Sequence, residues 1–303
     1  MSGGDGGGAP VFLRYTQAEL DRAYDQRAWA TDPDGVLARL AARGAAARAA
    51  IPRESGLRYG EGEDEVLDLF PARPAGGDDG PAPVHVHLHG GAWRALGRAD
   101  ASFLAPAFVA AGVCLVVPDF TNLPRARMPR MADQVARAVA WAAANARAFG
   151  GDPARVTLSG HSSGAHLAAV AATIGAAPPG VLRAALCVSG SYDLAPVLLS
   201  ARREYIHLDA AEARALSPAR HAARAACPVA VAVGGRESPE FRRHALAFRD
   251  ALGAAGRLWG WADEPGLDHF EAWEAMGDPA TPLGALALRL ARGERPSAGG
   301  AGT

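Results

Sequence analysis

The serine at the centre of Gly160-His161-Ser162-Ser163-Gly164 is the residue best suited to chemistry. A short apolar run precedes this segment, and a helical run of small residues follows it from Ala165. Strand, Gly-x-Ser-x-Gly and helix form the pattern of a nucleophile elbow, which exposes the serine hydroxyl at the start of a helix. The pattern predicts that Ser162 is a nucleophile. A purely structural turn is the alternative, because a chain with 36 glycines contains short glycine motifs by chance.

A serine alcohol needs a base to take its proton and a carboxylate to orient that base. In enzymes with this elbow, the acid and then the base follow the serine along the chain. His269 lies in a loop after the last strand-like run and is the predicted base. His244 falls in a helical run and is expected to face solvent.

The acid should lie in the loop after the strand-like run 229–233, where Glu237 and Glu240 are the two candidates. Ser238 is a suitable helix cap, and Pro239 suits the first helical position. Glu240 then lies in the first turn, where a carboxylate interacts favourably with the helix dipole. We therefore predict Glu237 as the acid and assign Glu240 to the helix start.

An oxyanion formed during acyl transfer needs fixed hydrogen-bond donors. His89-Gly90-Gly91-Ala92-Trp93 follows the strand-like run 84–88, and glycines let the backbone turn its amides toward a substrate. The backbone N–H groups of Gly90, Gly91 and Ser163 are the predicted oxyanion hole, with a plain turn as the alternative. Trp93 is a candidate substrate contact, although packing would explain it equally well.

Three histidines alternate along the same run: His85, His87 and His89. Alternation places them on one face of a strand, which could indicate a metal site. No cluster of Asp, Glu or His with ligand spacing accompanies them elsewhere, so we predict no metal and no cofactor. His89 is expected to brace the glycine loop.

Strand-like and helical runs alternate through most of the chain. This alternation predicts an α/β fold with a mostly parallel central sheet and helices on both faces. We expect one domain over residues 11–292, with disordered ends at 1–10 and 293–303. Residues 190–226 are too long for a simple connection and form either a small cap over the serine or a surface excursion. Tyr192 in this insertion is a second candidate substrate contact.

The composition excludes several classes of function. The formal net charge of -1 gives no electrostatic case for nucleic acid or an anionic membrane. The three cysteines have no paired spacing, which argues against a disulfide framework or thiolate metal site. No signal-peptide pattern and no membrane-spanning run is visible, so a cytoplasmic location is expected by default. The expected partner is a small-molecule substrate, and a homodimer is left open.

These motifs together resemble the kynurenine formamidase (arylformamidase) branch of the α/β-hydrolases, near the hormone-sensitive-lipase-like esterases. The resemblance covers roughly residues 15–276. It rests on the His-Gly-Gly-Ala-Trp segment and the elbow, and on the segments Phe149–Pro153, Ser189–Leu194, Ser238–Phe241 and Asp268–Phe270. The acid in this family is often aspartate, whereas this chain has Glu237.

The resemblance implies an α/β-hydrolase fold and hydrolysis of N-formyl-L-kynurenine to kynurenine and formate, a step of tryptophan catabolism. A general carboxylesterase acting on short-chain or aryl esters is the close alternative. A non-catalytic scaffold that only binds ligands is a second alternative, against which the intact set of Ser162, Glu237 and His269 argues.

Overall fold

An eight-stranded sheet forms the centre of the protein, in a computed structural model that describes residues 8–73, 80–175 and 179–294. The strands are β1 Glu54–Arg58, β2 Val66–Phe70, β3 Ala82–Leu88, β4 Cys114–Pro118, β5 Gly151–His161, β6 Leu182–Val188, β7 Val229–Gly234 and β8 Leu258–Glu264. Their order across the sheet is β1-β2-β4-β3-β5-β6-β7-β8. The predicted disorder at the two chain ends concerns mainly residues 1–7 and 295–303, which lie outside the described residues.

The sheet is parallel from β4 through β8, and only β1 and β2 run antiparallel to their neighbours. The connection after β3 leads to β4 on one side, while β5 pairs with β3 on the other. Loops that leave the carboxyl ends of β3 and β5 therefore diverge from one point. Such a switch point is where open α/β sheets bind ligands.

Helices cover both faces of the sheet, which confirms the predicted α/β fold class. They are α1 Gln17–Tyr24, α2 Pro33–Ala50, α3 Arg98–Ala101, α4 Ala105–Ala110, α5 Met128–Asn145, α6 Ser163–Thr173, α7 Leu194–Val197, α8 Ala210–Ala215, α9 Pro239–Ala254, α10 His269–Ala275 and α11 Pro282–Ala291. The sequence did not predict α10, because a helix of seven residues shows little periodicity.

The sequence pattern predicts one helix over residues 15–29 that starts at a Thr16 cap, and Thr16 is the N-cap of α1. The Thr16 side chain and the Glu19 carboxylate form a reciprocal capping box. The predicted helix over residues 15–29 is nevertheless interrupted, because α1 ends at Tyr24 and Asp25 caps a separate 3₁₀ turn, Gln26–Trp29. The polypeptide therefore bends at Asp25.

Helix α6 lies wholly buried against the sheet. Its small side chains allow the backbone to approach closely. A Cβ atom at Gly164 would overlap the carbonyl oxygens of Leu88 and His89, so only glycine fits there. This contact fixes the start of α6 against the end of β3. Among the described residues, no helix is long and apolar enough to span a membrane.

Candidate active site

Ser162 lies at the sharp turn between β5 and α6, where the sequence places the nucleophile elbow. Its φ of 56° is in the left-handed region, which is strained for a residue with a side chain. A Cβ atom at Gly160 would overlap the carbonyl oxygen of Gly164, so the turn closes only because residue 160 is glycine. The fold therefore holds Ser162 at the carboxyl end of the central strand.

Ser162, His269 and Glu237 form one continuous hydrogen-bonded chain. His269 Nε2 is 2.9 Å from the Ser162 hydroxyl oxygen, and His269 Nδ1 is 2.8 Å from Glu237 Oε2. The carboxylate can only accept, so Nδ1 carries the proton and Nε2 is left to accept from the serine. All three side chains are buried. This is the arrangement needed to deprotonate a serine.

The second oxygen of Glu237 is also fully engaged. Oε1 accepts from the Ser189 hydroxyl at 2.5 Å and from the Gly234 amide at 2.7 Å. These two donors turn the carboxylate so that Oε2 faces His269. Ser189 lies in the segment Ser189–Leu194 that carries part of the family resemblance, but no local pattern predicted this role for it.

Glu240 occupies the first turn of α9, which confirms its assignment to the helix start. Its carboxylate pairs with Arg243 at 2.7 Å and accepts from the Tyr24 hydroxyl at 3.3 Å. Ser238 caps α9 by accepting from the Phe241 amide, also as predicted. The two carboxylates therefore have different partners: Glu237 forms a hydrogen bond with the base, and Glu240 forms an ion pair with an arginine.

The prediction that His244 faces solvent is wrong. His244 is 2% exposed, and its Nε2 lies 2.8 Å from the Tyr24 hydroxyl oxygen. Its Nδ1 accepts from the Tyr192 amide at 3.2 Å. The buried face of α9 depends on α1, which comes from the far end of the chain, so the periodicity of α9 alone could not reveal it.

The glycine loop after β3 lies beside Ser162. A Cβ atom at Gly90 would come within 3.2 Å of Ser162 Cβ, and Gly91 has a φ of +103°. The amide groups of Gly91 and Ser163 have no acceptor among the described residues. This leaves these two amides able to donate to an oxyanion, and the oxyanion hole of Gly90, Gly91 and Ser163 stays a prediction. His89 donates from Nδ1 to the Gly90 carbonyl at 2.8 Å and so braces the loop.

His85 and His87 use both ring nitrogens in a buried relay. Trp273 Nε1 donates to His87 Nε2 at 3.2 Å, and Ser159 Oγ lies between the two rings, 2.7 Å from His87 Nδ1 and 2.6 Å from His85 Nε2. His85 Nδ1 reaches Thr157 Oγ1 at 2.8 Å. Burial lowers the pKa of His85 to about 3, so its ring is neutral. Among the described residues, no group of three His, Cys, Asp or Glu side chains could hold a metal.

His161, the residue before the nucleophile, supports the base. Its Nε2 donates to the main-chain carbonyl of His269 at 2.8 Å, and its ring stacks on Trp273 at 5.3 Å. Burial, and then the charge of His269, holds the pKa of His161 well below its usual value, so the ring stays neutral. No local feature of the sequence predicted this contact.

A pocket of about 460 Å³ opens above Ser162 and His269. One wall comes from residues 21–27 of α1 and the following turn, and another from residues 200–205 of the insertion. Trp93 and Tyr192, the predicted substrate contacts, do not line this pocket. Trp93 is buried and donates to His166, while Tyr192 is buried and stacks on Phe248 at 4.4 Å. Both rings pack against other buried side chains.

Comparison with known proteins identifies relatives across most of the chain. Kynurenine formamidase from Danio rerio is 32% identical over 240 residues, which is 77% of this chain and 80% of that protein. Kynurenine formamidase from Salmo salar is 32% identical over 241 residues with the same coverage. Esterase LipQ from Mycobacterium tuberculosis is 37% identical over 120 residues, 39% of this chain and 28% of that protein. The BD-FAE family model matches residues 67–178.

Solved structures agree with the observed fold. A protein from Silicibacter sp. tm1040, assigned as a thioesterase, superposes with a TM-score of 0.78 at 30% identity and covers 89% of this chain and 98% of that one. An esterase from the archaeon Pyrobaculum calidifontis superposes with a TM-score of 0.63 at 18% identity, covering 87% and 90% of the two chains. The second similarity concerns the fold alone.

Proposed function

We propose, since the chain belongs to the kynurenine formamidase family of α/β-hydrolases, that it hydrolyses N-formyl-L-kynurenine to L-kynurenine and formate. The observation that carries this proposal is the unbroken hydrogen-bonded chain from Ser162 through His269 to Glu237 beneath an open pocket. An aryl formamide places a small acyl carbon next to an aromatic amine. The pocket can take the larger aryl part while the formyl carbon reaches Ser162.

The first half of the reaction forms a formyl-enzyme. His269 Nε2 takes the hydroxyl proton while Ser162 Oγ attacks the formyl carbon, and the oxyanion is stabilised by the amides of Gly91 and Ser163. His269 then gives its proton to the departing arylamine as the carbon–nitrogen bond breaks. Glu237 keeps the imidazole in the required tautomer and stabilises its charged form.

The second half releases formate. A water molecule attacks the formyl carbon of the ester on Ser162, and His269 accepts its proton. Collapse of this intermediate returns the proton to Ser162 Oγ and frees formate. Each of these proton transfers passes through His269 Nε2, which lies 2.9 Å from Ser162 Oγ. The steps use the protein, the substrate and water.

A general carboxylesterase is the second candidate function. Esterase LipQ matches part of the chain, and the same nucleophile and base would cleave short-chain esters, which have better leaving groups. What supports the formamidase is the greater extent of similarity, since the formamidase relatives match twice as many residues as LipQ.

Kinetics on N-formyl-L-kynurenine, p-nitrophenyl acetate and p-nitrophenyl butyrate would distinguish the two. A formamidase should show the larger rate enhancement on the formamide when each rate is judged against its uncatalysed reaction. Ser162→Ala should abolish all three activities, since loss of the nucleophile costs on the order of a millionfold. Detectable ester hydrolysis without deformylation would identify an esterase.

We also propose a cytoplasmic location and a place in tryptophan catabolism. What supports the first is that Cys114, Cys187 and Cys227 are all free thiols, as is usual where thiols are kept reduced. What supports the second is the proposed substrate itself. The proposed partner is a small-molecule substrate.

A further inference from the structure

Three arginines line the pocket that contains Ser162: Arg27, Arg94 and Arg202. Arg27 is ion-paired with Asp34. Arg94 is exposed and lies over the Tyr205 ring at 4.5 Å. Arg202 is half-buried, and among the described residues no carboxylate lies within ion-pairing distance of it. It is therefore a partly desolvated cation that forms no ion pair among the described residues, although the pocket is also lined by the carboxylates of Asp21, Asp25 and Glu204.

Aromatic rings hold the Arg202 guanidinium in place. Its central carbon lies 5.7 Å from the ring centre of Tyr24, 5.6 Å from that of Trp93 and 5.7 Å from that of Phe241. Nη2 donates to the Tyr24 carbonyl at 2.6 Å. A guanidinium has five donors in a planar fork, so this one hydrogen bond leaves others free for a ligand. The rings also lower the local polarity, which strengthens attraction to an anion.

The backbone that carries Arg202 is equally well fixed. The Ala201 amide donates to Asp21 Oδ1 at 2.5 Å, and the Gln17 side-chain amide donates to the Leu199 carbonyl at 2.9 Å. These contacts tie the insertion to α1. The guanidinium is thus preorganised, so binding an anion costs little ordering of the side chain.

Arg202 lines the same pocket as the reacting groups Ser162 and His269. The Phe241 ring that it contacts meets the His269 ring edge-on at 5.0 Å between centres, so one aromatic ring separates the cation from the base. In N-formyl-L-kynurenine about seven covalent bonds separate the formyl carbon from the carboxylate carbon, a span of roughly 6–9 Å. A carboxylate on Arg202 and a formyl carbon at Ser162 can therefore belong to one molecule.

We propose that the Arg202 guanidinium binds the carboxylate of the substrate and so selects aryl formamides that carry an amino-acid carboxylate. This inference rests on the proposed function, and it adds the group that distinguishes the amino-acid substrate from neutral formamides and esters. The planar fork of arginine matches a carboxylate with two parallel hydrogen bonds.

The test compares two formamides that differ only in the carboxylate: N-formyl-L-kynurenine and N-formylkynuramine. The wild-type enzyme should favour the first by kcat/KM. Arg202→Met should lower kcat/KM for N-formyl-L-kynurenine roughly 10- to 100-fold, the usual effect of losing a hydrogen bond to a charged group. Its kcat/KM for N-formylkynuramine should stay within about threefold, which shows that the pocket and the catalytic groups remain intact.

Matched variants sharpen the comparison. Arg202→Lys should restore part of the preference, because it keeps the charge and loses the fork. Arg203→Met should change kcat/KM for neither formamide, since Arg203 is the exposed neighbour outside the pocket wall. The proposal would be overturned if the wild type shows no preference for N-formyl-L-kynurenine over N-formylkynuramine, or if Arg202→Met keeps that preference. Loss of the preference in Arg94→Met instead of Arg202→Met would also overturn it.

A second readout separates this inference from the proposed function. L-kynurenine and kynuramine are tested as competitive inhibitors of p-nitrophenyl acetate hydrolysis by the wild type and by Arg202→Met. Tighter inhibition by L-kynurenine that depends on Arg202 would support the carboxylate site even if neither formamide is hydrolysed. Deformylation of both formamides, with equal inhibition by the two amines, would retain the formamidase and reject the site.

Discussion

The acid of the catalytic chain is a glutamate, whereas the family resemblance leads us to expect aspartate. The longer side chain of Glu237 is accommodated because Oε1 is held by the Ser189 hydroxyl and the Gly234 amide, which leaves Oε2 toward His269. A flexible carboxylate is thereby fixed at both oxygens. The longer glutamate side chain therefore still places one carboxylate oxygen in hydrogen-bond contact with the base.

Glu237→Gln should lower kcat by about 10⁴, as loss of the charged acid does in other serine hydrolases. Glu240→Gln should leave kcat within about threefold, because Glu240 pairs with Arg243 on α9 and does not contact His269. Steady-state kinetics on one substrate with both variants tests this. Reversed effects would assign the acid to Glu240.

Ser189→Ala should lower kcat roughly tenfold with little change in KM, because Glu237 then loses one of its two orienting donors. Ser189→Thr should recover much of the loss, since it keeps the hydroxyl. Ser191→Ala is the matched control, because the buried Ser191 hydroxyl has no hydrogen-bond partner among the described residues. Equal losses in the two alanine variants would indicate only a packing effect.

Residue types and chain order were sufficient to predict Ser162, Glu237 and His269 as a set, because a nucleophile, an acid and a base must follow one another in this fold. They could not show Ser189, His161 or Arg202. These residues act through partners far away in sequence, and nothing local to serine, histidine or arginine marks such a contact. Tyr192 and Trp93 were expected to contact the substrate, but both pack in the interior. The local sequence cannot distinguish an aromatic ring that packs in the core from one that binds a ligand.

At the scale of secondary structure, the sequence predicts each parallel strand and most helices, because apolar runs and capping residues are local signals. The observed bounds of an element differ from the predicted ones where contacts with distant parts of the chain decide where it ends. Strand β5 extends over Gly151–His161 although its apolar run is short, since hydrogen bonding to β3 and β6 holds its ends. The predicted helix over 15–29 breaks at Asp25, where the side chain caps a new turn.

Helix α6 can only approach the sheet through a glycine, which gives a prediction at this scale. Gly164→Ala should lower the free energy of unfolding by about 1–3 kcal/mol, since a Cβ there overlaps two carbonyl oxygens of the β3 end. Activity should fall as well, because Ser162 is the cap of the displaced helix.

Gly253→Ala is the contrasting variant. Gly253 lies in α9, and no atom lies within 4 Å of the position that a Cβ would take there, so alanine should stabilise the helix by roughly 0.5–1 kcal/mol. Urea unfolding of both variants, with circular dichroism as the signal, measures the two effects. A stable and active Gly164→Ala enzyme would contradict the close contact of α6 with β3.

Across the whole molecule, the histidines are unusually buried. Burial lowers the pKa of His85 to about 3 and of His166 to about 4, and it holds the pKa values of His87, His161 and His244 well below the usual range. In the unfolded chain the same rings bind protons near pH 6.5. Below that pH the unfolded state binds more protons than the folded state, so acid favours unfolding.

We therefore expect full stability above about pH 6.5 and a progressive loss as the pH falls toward 4, with each ring contributing up to about 1.4 kcal/mol per pH unit. Urea midpoints measured from pH 7.5 to 4.5 test this. The urea midpoint of His85→Gln should fall less steeply with decreasing pH than that of the wild type. The midpoint of His207→Gln, a change at an exposed position, should fall as steeply as that of the wild type. A midpoint unchanged between pH 7 and 5 would contradict the linkage.

The groups that break bonds and the surfaces that face the substrate come from different parts of the fold. Ser162, Glu237 and His269 are anchored at strand ends, whereas residues 21–27 and 200–205 form the walls from outside the sheet. The BD-FAE match over 67–178 includes the elbow and neither wall. Mutations in the walls can therefore accumulate without disabling the chemistry, which makes this architecture readily evolvable. Exchange of residues 200–205 between relatives offers protein engineers a short route to altered substrate preference.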